Sequence, residues 1–137
     1  MLEKLSVDTA CVRAKDIAKA YKFYCDLGFK PLEDYNKGND IEKLFETPGG
    51  LKFGLVEYKF FGEDVYGKNE PPANEGFSGV CLTCIVSSKE EVEKYAKAVK
   101  DLGGTVLRGP TDLDWGAYLL YFADLDGYVW ELLYIYK

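Results

Sequence analysis

The chain contains no histidine among its 137 residues. Imidazole is the commonest ligand of zinc, nickel and iron in enzymes that keep an open coordination position, and three or four nitrogen, oxygen or sulfur ligands are needed in all. The absence therefore excludes an imidazole-ligated metal centre. Any metal site in this protein would have to be built from carboxylates, thiols and hydroxyls.

Long apolar runs are missing as well. Charges or turns interrupt every apolar stretch before it reaches the ~20 residues that a membrane-spanning helix needs. The first ten residues, MLEKLSVDTA, lack the basic, apolar and small-residue regions of a signal peptide. We therefore expect a cytoplasmic protein without a membrane partner, and we expect its four cysteines to be reduced thiols.

The charge balance narrows the choice of ligand. Seventeen basic residues stand against 23 acidic ones, which gives a net charge of −6 and a pI near 4.7. This excess of acid argues against a nucleic-acid partner, because proteins that follow the phosphate backbone are basic. A cationic or neutral small molecule is the better match.

An internal duplication organises the chain. The first half predicts a strand (6–14), a helix (15–27) that ends at Gly28, and extended segments within 39–58. The second half predicts the same order: a strand (79–86), a helix (87–102) and three further strands (105–107, 117–123 and 128–136). Ser88 and Glu91 have the spacing of a capping box at the start of the second helix. Each half is therefore predicted to be a βαβββ unit.

The predicted modules cover about residues 4–59 and 79–137 of a single domain. The segment between them, residues 60–78, is rich in glycine, proline, asparagine and glutamate, which is typical of a linker. A lid that covers a ligand remains an alternative, because long loops in compact domains often carry function.

Two stretches resemble a known family. These are VRAKDIAKAYKFYCDLGFKPL near the start and WGAYLLYFADLDGYVWEL near the end, and FETPGGLKFGLVEYK aligns with FADLDGYVWELLYIYK. The chain resembles the vicinal oxygen chelate superfamily of glyoxalase I, bleomycin-resistance proteins and extradiol dioxygenases. The resemblance implies an α+β fold in which two βαβββ modules form a curved mixed sheet around a cleft.

The resemblance also implies where metal ligands would lie. In metal-dependent members, His or Glu side chains on the first and last strands of both modules face the cleft. The matching positions here are Thr9, Gly54, Cys81 and Glu131, and of these only Glu131 fits the family pattern. One carboxylate, one hydroxyl and one thiol make a poor ligand set. We therefore expect neither a metal ion nor another cofactor.

Glu131 is the residue that most needs an explanation. It interrupts the apolar stretch YVWELLY, and a carboxylate is costly to bury there unless something pairs with it. Three roles remain open. Glu131 accepts a hydrogen bond from a hydroxyl such as Tyr118 or Thr9, or pairs with Arg13; it binds a cationic or hydrogen-bonding ligand; or it acts as a general base.

Strand alternation predicts the neighbours of Glu131. Val129 and Leu133 share its face, and a turn at 124–127 would add Tyr118, Leu120 and Phe122 from the preceding strand. We therefore expect Tyr118 to line the ligand site.

Other candidates follow from the same reasoning. Thr9, Cys11 and Arg13 alternate along the first strand and are predicted to line the cleft with Gly54. Cys81 is predicted to face the cleft and Cys84 the opposite side, so CLTC cannot form a bridge or share a metal.

Trp115, on a loop beside Gly116, is a candidate for stacking on a planar or cationic ligand. Simple anchoring of the loop is the alternative for this side chain.

Two classes of function remain. One is a metal-independent binding protein that sequesters a cationic or aromatic compound, in the manner of the bleomycin-resistance proteins. The other is a glyoxalase-like lyase or isomerase, or another enzyme of the superfamily, with Glu131 as base or metal ligand. The same scaffold supports both classes. We also expect a homodimer, because twofold assemblies are the commonest oligomers and the family often pairs its modules.

Overall fold

The structure is a computed structural model that describes residues 7–67 and 80–137. The chain divides into two compact units, Met1–Pro72 and Ala73–Lys137. Each unit contains one four-stranded mixed sheet. The predicted α+β class and the βαβββ order of both halves are confirmed. Within the described residues, no helix combines the length and the apolar character that a membrane crossing requires.

The first unit contains four strands and three helices. In chain order they are β1 (Thr9–Ala14), α1 (Ile17–Leu27), β2 (Lys30–Pro31), α2 (Glu33–Asn36), β3 (Glu42–Glu46), β4 (Lys52–Glu57) and α3 (Tyr58–Tyr66). The strand order across the sheet is β1-β4-β3-β2, with β1 and β4 parallel and the other pairs antiparallel.

Helix α1 ends at Leu27, as the sequence predicts, and begins at Ile17, two residues after the predicted start. The Asp16 carboxylate accepts a hydrogen bond from the Lys19 backbone N–H at 3.1 Å, which caps the helix. Gly28 ends it with a φ of 114°, a conformation that glycine adopts without strain. The buried face of the helix places Tyr24 against Phe53, with ring centroids 4.9 Å apart. This aromatic packing joins the helix to the sheet.

Three elements of the first unit were not predicted, the short strand β2, the single-turn helix α2 and the helix α3. Helix α2 ends at Asn36, whose side chain is buried. Its amide donates to the Leu44 carbonyl at 2.9 Å and accepts from the Leu44 N–H at 2.7 Å. The side chain thus pairs with β3 as another strand would, and its own polar atoms are satisfied in the interior.

Helix α3 occupies the start of the segment predicted as a linker. Glu57 caps this helix, because its carboxylate accepts from the backbone N–H groups of Lys59 and Phe60, each at 3.0 Å. The remainder of the 60–78 segment, from residue 68 onwards, lies outside the described residues. The choice between linker and lid therefore stays a prediction for that part.

The second unit contains β5 (Cys81–Ile85), α4 (Lys89–Asp101), β6 (Thr105–Leu113), β7 (Ala117–Ala123) and β8 (Val129–Ile135). The strand order is β5-β8-β7-β6, with β5 and β8 parallel. The predicted cap of α4 is confirmed. The Glu91 N–H donates to the Ser88 hydroxyl at 3.1 Å, and the Glu91 carboxylate accepts from the Ser87 N–H at 3.1 Å.

One face of this sheet is covered by α4, which packs against β6, β7 and β8. The buried side chains on this face include Leu120, Phe122, Trp130 and Leu132. Phe122 and Trp130 stack with ring centroids 6.4 Å apart. We call this the helix face of the sheet, and the opposite face, which carries Glu131, the open face.

The hairpin between β7 and β8 has a three-residue loop, because Ala123 pairs with Val129 and Asp124 binds Tyr128. The Asp124 carboxylate accepts from the N–H groups of Asp126 at 2.9 Å and Tyr128 at 2.8 Å. Gly127 completes the loop with a φ of 88°. A three-residue loop that ends in a left-handed glycine is a common hairpin connection.

This loop makes the part of the predicted lining of Glu131 that comes from β7 wrong, whereas Val129 and Leu133 share its face as predicted. Glu131 pairs with Tyr121, so Tyr118, Leu120 and Phe122 belong to the helix face. The prediction assumed a turn one residue shorter, and a shift of one residue moves every side chain of a strand to the other face.

Strand β6 is irregular beside Gly109. Its register with β7 shifts on both sides of Arg108, and Gly109 has a φ of 86°. A Cβ atom added at Gly109 would lie 2.3 Å from the Leu119 carbonyl oxygen. Glycine is therefore required here for two reasons, the left-handed backbone and the close approach of β7.

Gly109→Ala should lower the free energy of unfolding by about 3 kcal/mol or more, because backbone strain and a backbone clash add together. Gly38→Ala is the matched control. Gly38 also has a positive φ, 72°, but a Cβ there would meet nothing within 4 Å. The control should lose only about 1 kcal/mol.

Urea denaturation of both variants measures the difference. Equal losses for the two variants would contradict the close approach of β6 and β7 at Gly109.

Candidate functional site

A row of four polar side chains crosses the open face of the second sheet, with one residue on each strand. Thr83 of β5 pairs with Glu131 of β8, Glu131 pairs with Tyr121 of β7, and Tyr121 pairs with Arg108 of β6. Directly paired residues of neighbouring strands project from the same face. We call these four residues the polar row.

Hydrogen bonding and charge couple the members of the row. The Thr83 hydroxyl donates to Glu131 Oε1 at 2.8 Å. Burial raises the pKa of Tyr121, the hydrogen bond and negative charge of Glu131 raise it further, and the positive charge of Arg108 lowers it. Tyr121 therefore lies within the electrostatic reach of an acidic and a basic side chain at once.

Apolar surface borders the polar row. Ala117, Leu119 and Leu133 form a buried cluster, and Leu113 and Tyr121 pack against it. Further along the same face, Ile85 is 65% exposed and Ile135 is 46% exposed. The open face thus combines one carboxylate, one guanidinium and one phenol with an apolar surface. Such a surface suits an amphiphilic small molecule better than it suits a fully polar small molecule.

Cys81 lies on the open face and Cys84 on the helix face, as predicted from strand alternation. Exposed and partly buried residues alternate along β5, and all four cysteines of the chain are free. Burial raises the pKa of the Cys81 thiol, and the charge of Glu131 raises it further. Burial alone raises the pKa of the Cys84 thiol. CLTC is therefore neither a disulfide nor a metal-binding pair.

The candidates in the first unit already have local partners. The Thr9 hydroxyl donates to Asp8 Oδ2 at 2.6 Å. The Arg13 guanidinium lies 4.2 Å from the centroid of the Tyr58 ring. Gly54 pairs with Cys11, and a Cβ at Gly54 would lie 2.8 Å from the Cys11 Sγ atom. Gly54 therefore leaves the space that the Cys11 side chain fills.

Trp115 and Tyr118, two further candidates for the site, have different surroundings. Trp115 lies in the tight turn between β6 and β7 and is 56% exposed, which agrees with its predicted exposure on a loop. The Tyr118 hydroxyl donates to Glu93 of α4 at 3.0 Å, and Lys89 lies 4.9 Å from its ring centroid. These partners hold Tyr118 on the helix face. The expectation that it lines the face of Glu131 is wrong, because the hairpin register differs by one residue.

The donor set fits a divalent metal ion poorly. Within residues 7–67 and 80–137, no group of three or more His, Cys, Asp or Glu side chains is placed to hold a metal ion. On the open face, Glu131 supplies one carboxylate and Cys81 one thiol whose pKa is raised. A thiol must lose its proton to bind a metal, so a raised pKa weakens it as a ligand.

Sequence reasoning missed three members of the row: Thr83, Tyr121 and Arg108. The signal that would have revealed Tyr121 is the segment ADLDGYV, read as a three-residue loop with glycine at its third position, whereas Thr83 also requires the register of β5 against β8. With that loop, Tyr121 faces Glu131. Arg108 was harder to find, because the irregular register of β6 follows no simple alternation.

Comparison with known protein families agrees with this architecture. A sequence model of the Glyoxalase/Bleomycin resistance protein/Dioxygenase superfamily matches residues 6–132. The chain belongs to this superfamily. The match spans both units, and it includes all four members of the polar row.

Solved structures with the same fold include a hypothetical protein from S. aureus. It is 29% identical, with a TM-score of 0.78, and the match covers 94% of this chain and 92% of that one. A glyoxalase-related enzyme from Fulvimarina pelagi is 22% identical, with a TM-score of 0.80, over 94% and 87% of the two chains.

A glyoxalase/bleomycin resistance protein/dioxygenase family enzyme from Burkholderia phytofirmans is 18% identical, with a TM-score of 0.79, over 96% and 100% of the two chains. A comparison with curated proteins gave no match.

The proximity of Glu131 and Cys81 can be tested by thiol alkylation. Glu131→Gln removes a negative charge that raises the pKa of Cys81. That pKa should then fall towards its ordinary value, so the thiolate fraction should rise. Alkylation of Cys81 by iodoacetamide at about pH 8 should be about two- to threefold faster in the variant.

Cys84 is the internal control, because burial alone shifts its pKa. Peptide mass spectrometry measures both rates in one experiment. Equal acceleration at Cys81 and Cys84, or none at Cys81, would contradict the proposed proximity.

Proposed function

We propose that this protein is a metal-independent binding protein of the glyoxalase and bleomycin-resistance type, which sequesters a cationic or aromatic small molecule. One observation carries the proposal: Glu131 is a partly buried carboxylate at the centre of an open sheet face that is otherwise largely apolar. The open face around the polar row is the proposed contact surface.

Glu131 retains hydrogen-bonding capacity. An ionised carboxylate has about four lone-pair positions. Thr83 uses one of them, and Tyr121 lies close enough for this carboxylate to raise its pKa. The remaining positions suit an ammonium or amidinium group, because hydrogen bonds between ionised partners are the stronger ones. The hydrogen bond from Thr83 also restrains the orientation of the carboxylate, which reduces the entropy that a ligand must offset.

The apolar part of a ligand would lie over the border of the row. Ile85 and Ile135 lie on this face and are exposed, whereas Leu119 and Leu133 beside Tyr121 are buried. The aromatic ring of Tyr121 adds a surface for stacking or for a cation. Trp115 stays a candidate for a further stacking contact, supported by its exposure.

The donor chemistry favours binding without a metal. A transition ion held by one carboxylate and a thiol with a raised pKa would remain underligated. The alternative, a lyase or isomerase with Glu131 as base or metal ligand, rests on membership of the superfamily. The homodimer, the cytoplasmic location and the remaining candidates in the first unit (Thr9, Cys11, Arg13 and Gly54) also stay predictions.

Glu131→Gln tests the proposal. Benzylamine is the probe, because it joins an ammonium group to an aromatic ring, and benzyl alcohol is its neutral counterpart. Glu131→Gln should weaken benzylamine binding about tenfold, since a charge-assisted hydrogen bond is lost. Affinity for benzyl alcohol should not change. Glu90→Gln, on the exposed surface of α4, is the charge-matched control and should leave both affinities unchanged.

Titration calorimetry and ligand-observed NMR measure these affinities. No binding of benzylamine to the wild-type protein, or equal binding by the Glu131→Gln variant, would contradict the proposal. So would close to one equivalent of zinc, nickel, iron or manganese per chain in protein purified without chelator, if Glu131→Gln abolishes it. That result would support the enzyme instead.

A further inference from the structure

We infer that the site takes a ligand with a positive group at one end and a negative group at the other, and that Arg108 binds the negative end. This inference rests on the proposed function, because it places the positive end at Glu131. It adds a second charged contact and a substrate class, an aromatic or similarly flat zwitterion.

Arg108 is placed to act in this way. It pairs with Tyr121 on the open face, and its charge lowers the pKa of that tyrosine. Its side chain is exposed. Within the described ranges, 7–67 and 80–137, the Arg108 side chain makes neither a hydrogen bond nor an ion pair.

Two lysines of the second unit are neutralised locally. Lys89 pairs with Asp112 at 2.9 Å, and Lys97 pairs with Asp101 at 2.6 Å. In the part of the chain that the structure describes, no carboxylate pairs with Arg108, although the chain is acidic overall. A guanidinium offers five N–H donors in a planar fork that suits a carboxylate or a phosphate. The arrangement therefore leaves an anion-binding group available on the open face.

The distance between Arg108 and Glu131 determines which shape of ligand can reach both. Arg108 lies on β6 and Glu131 on β8, with β7 and Tyr121 between them. Neighbouring strands are about 4.8 Å apart, so the backbones at the two charges are roughly 10 Å apart. The two charges are thus held apart by an aromatic ring. A ligand that spans them needs oppositely charged groups at the two ends of a flat, apolar body.

The backbone beside Arg108 is restrained, which favours one defined position for the Arg108 side chain. Gly109 holds a left-handed conformation directly against the Leu119 carbonyl. The neighbouring register shifts set Arg108 opposite Tyr121 rather than opposite a residue of the helix face. The bulge thereby directs the guanidinium towards the same surface as Glu131.

Three probes separate the two charged contacts. They are benzylamine, benzoate and 4-(aminomethyl)benzoate, which carries both groups on one ring. Wild-type protein should bind 4-(aminomethyl)benzoate about tenfold more tightly than benzylamine, because a second charge-assisted contact is added. Arg108→Gln should remove this gain and leave benzylamine binding unchanged. Lys100→Gln, in the last turn of α4, is the charge-matched control and should retain the gain.

The outcomes distinguish this inference from the proposed function. If Arg108→Gln and wild-type protein bind 4-(aminomethyl)benzoate equally while Glu131→Gln weakens benzylamine, the role of Arg108 is refuted and the proposed function stands. If Lys100→Gln loses as much affinity as Arg108→Gln, the effect is one of net charge and the inference also fails. If no probe binds to the wild-type protein, both are overturned.

Discussion

The register of the β7–β8 hairpin is the constraint on which the site depends. The Asp124 carboxylate binds two backbone N–H groups within the loop, and Gly127 adopts the left-handed conformation that closes it. These interactions place Glu131 opposite Tyr121. A loop shorter or longer by one residue would bring Glu131 opposite a residue of the buried helix face. The position of the carboxylate therefore follows from the chemistry of a turn several residues away.

Much of the fold follows from the sequence alone. The end of α1 at Gly28, the cap of α4 at Ser88 and the repeated βαβββ order all have local causes, and the structure contains each of them. The elements that were missed depend on contacts distant in sequence or on a less usual cap. Asn36 stabilises its turn through β3, and Glu57 caps a helix inside a segment with the composition of a linker.

The site was predictable in part. The importance of Glu131 was evident, because a carboxylate in an apolar strand needs a partner. Its hydroxyl partner proved to be Thr83, which lies on a parallel neighbouring strand 48 residues away in sequence. Strand alternation cannot identify such a partner without the register of β5 against β8. Likewise, the sheet face on which Tyr118 lies depends on whether the loop between β7 and β8 has two or three residues. Membership of the superfamily fixes the fold, whereas the side chains of the open face determine what it binds.

The ionisation of Tyr121 is the most direct measure of the central claim, that one face of the second sheet holds Glu131 and Arg108 on either side of this tyrosine. Its pKa can be followed by NMR of carbon-labelled tyrosine rings, with Tyr121→Phe to assign the signal. Removing a negative charge stabilises the phenolate, so Glu131→Gln should lower the pKa of Tyr121, whereas Arg108→Gln should raise it. A pKa that stays the same in either variant would contradict the account.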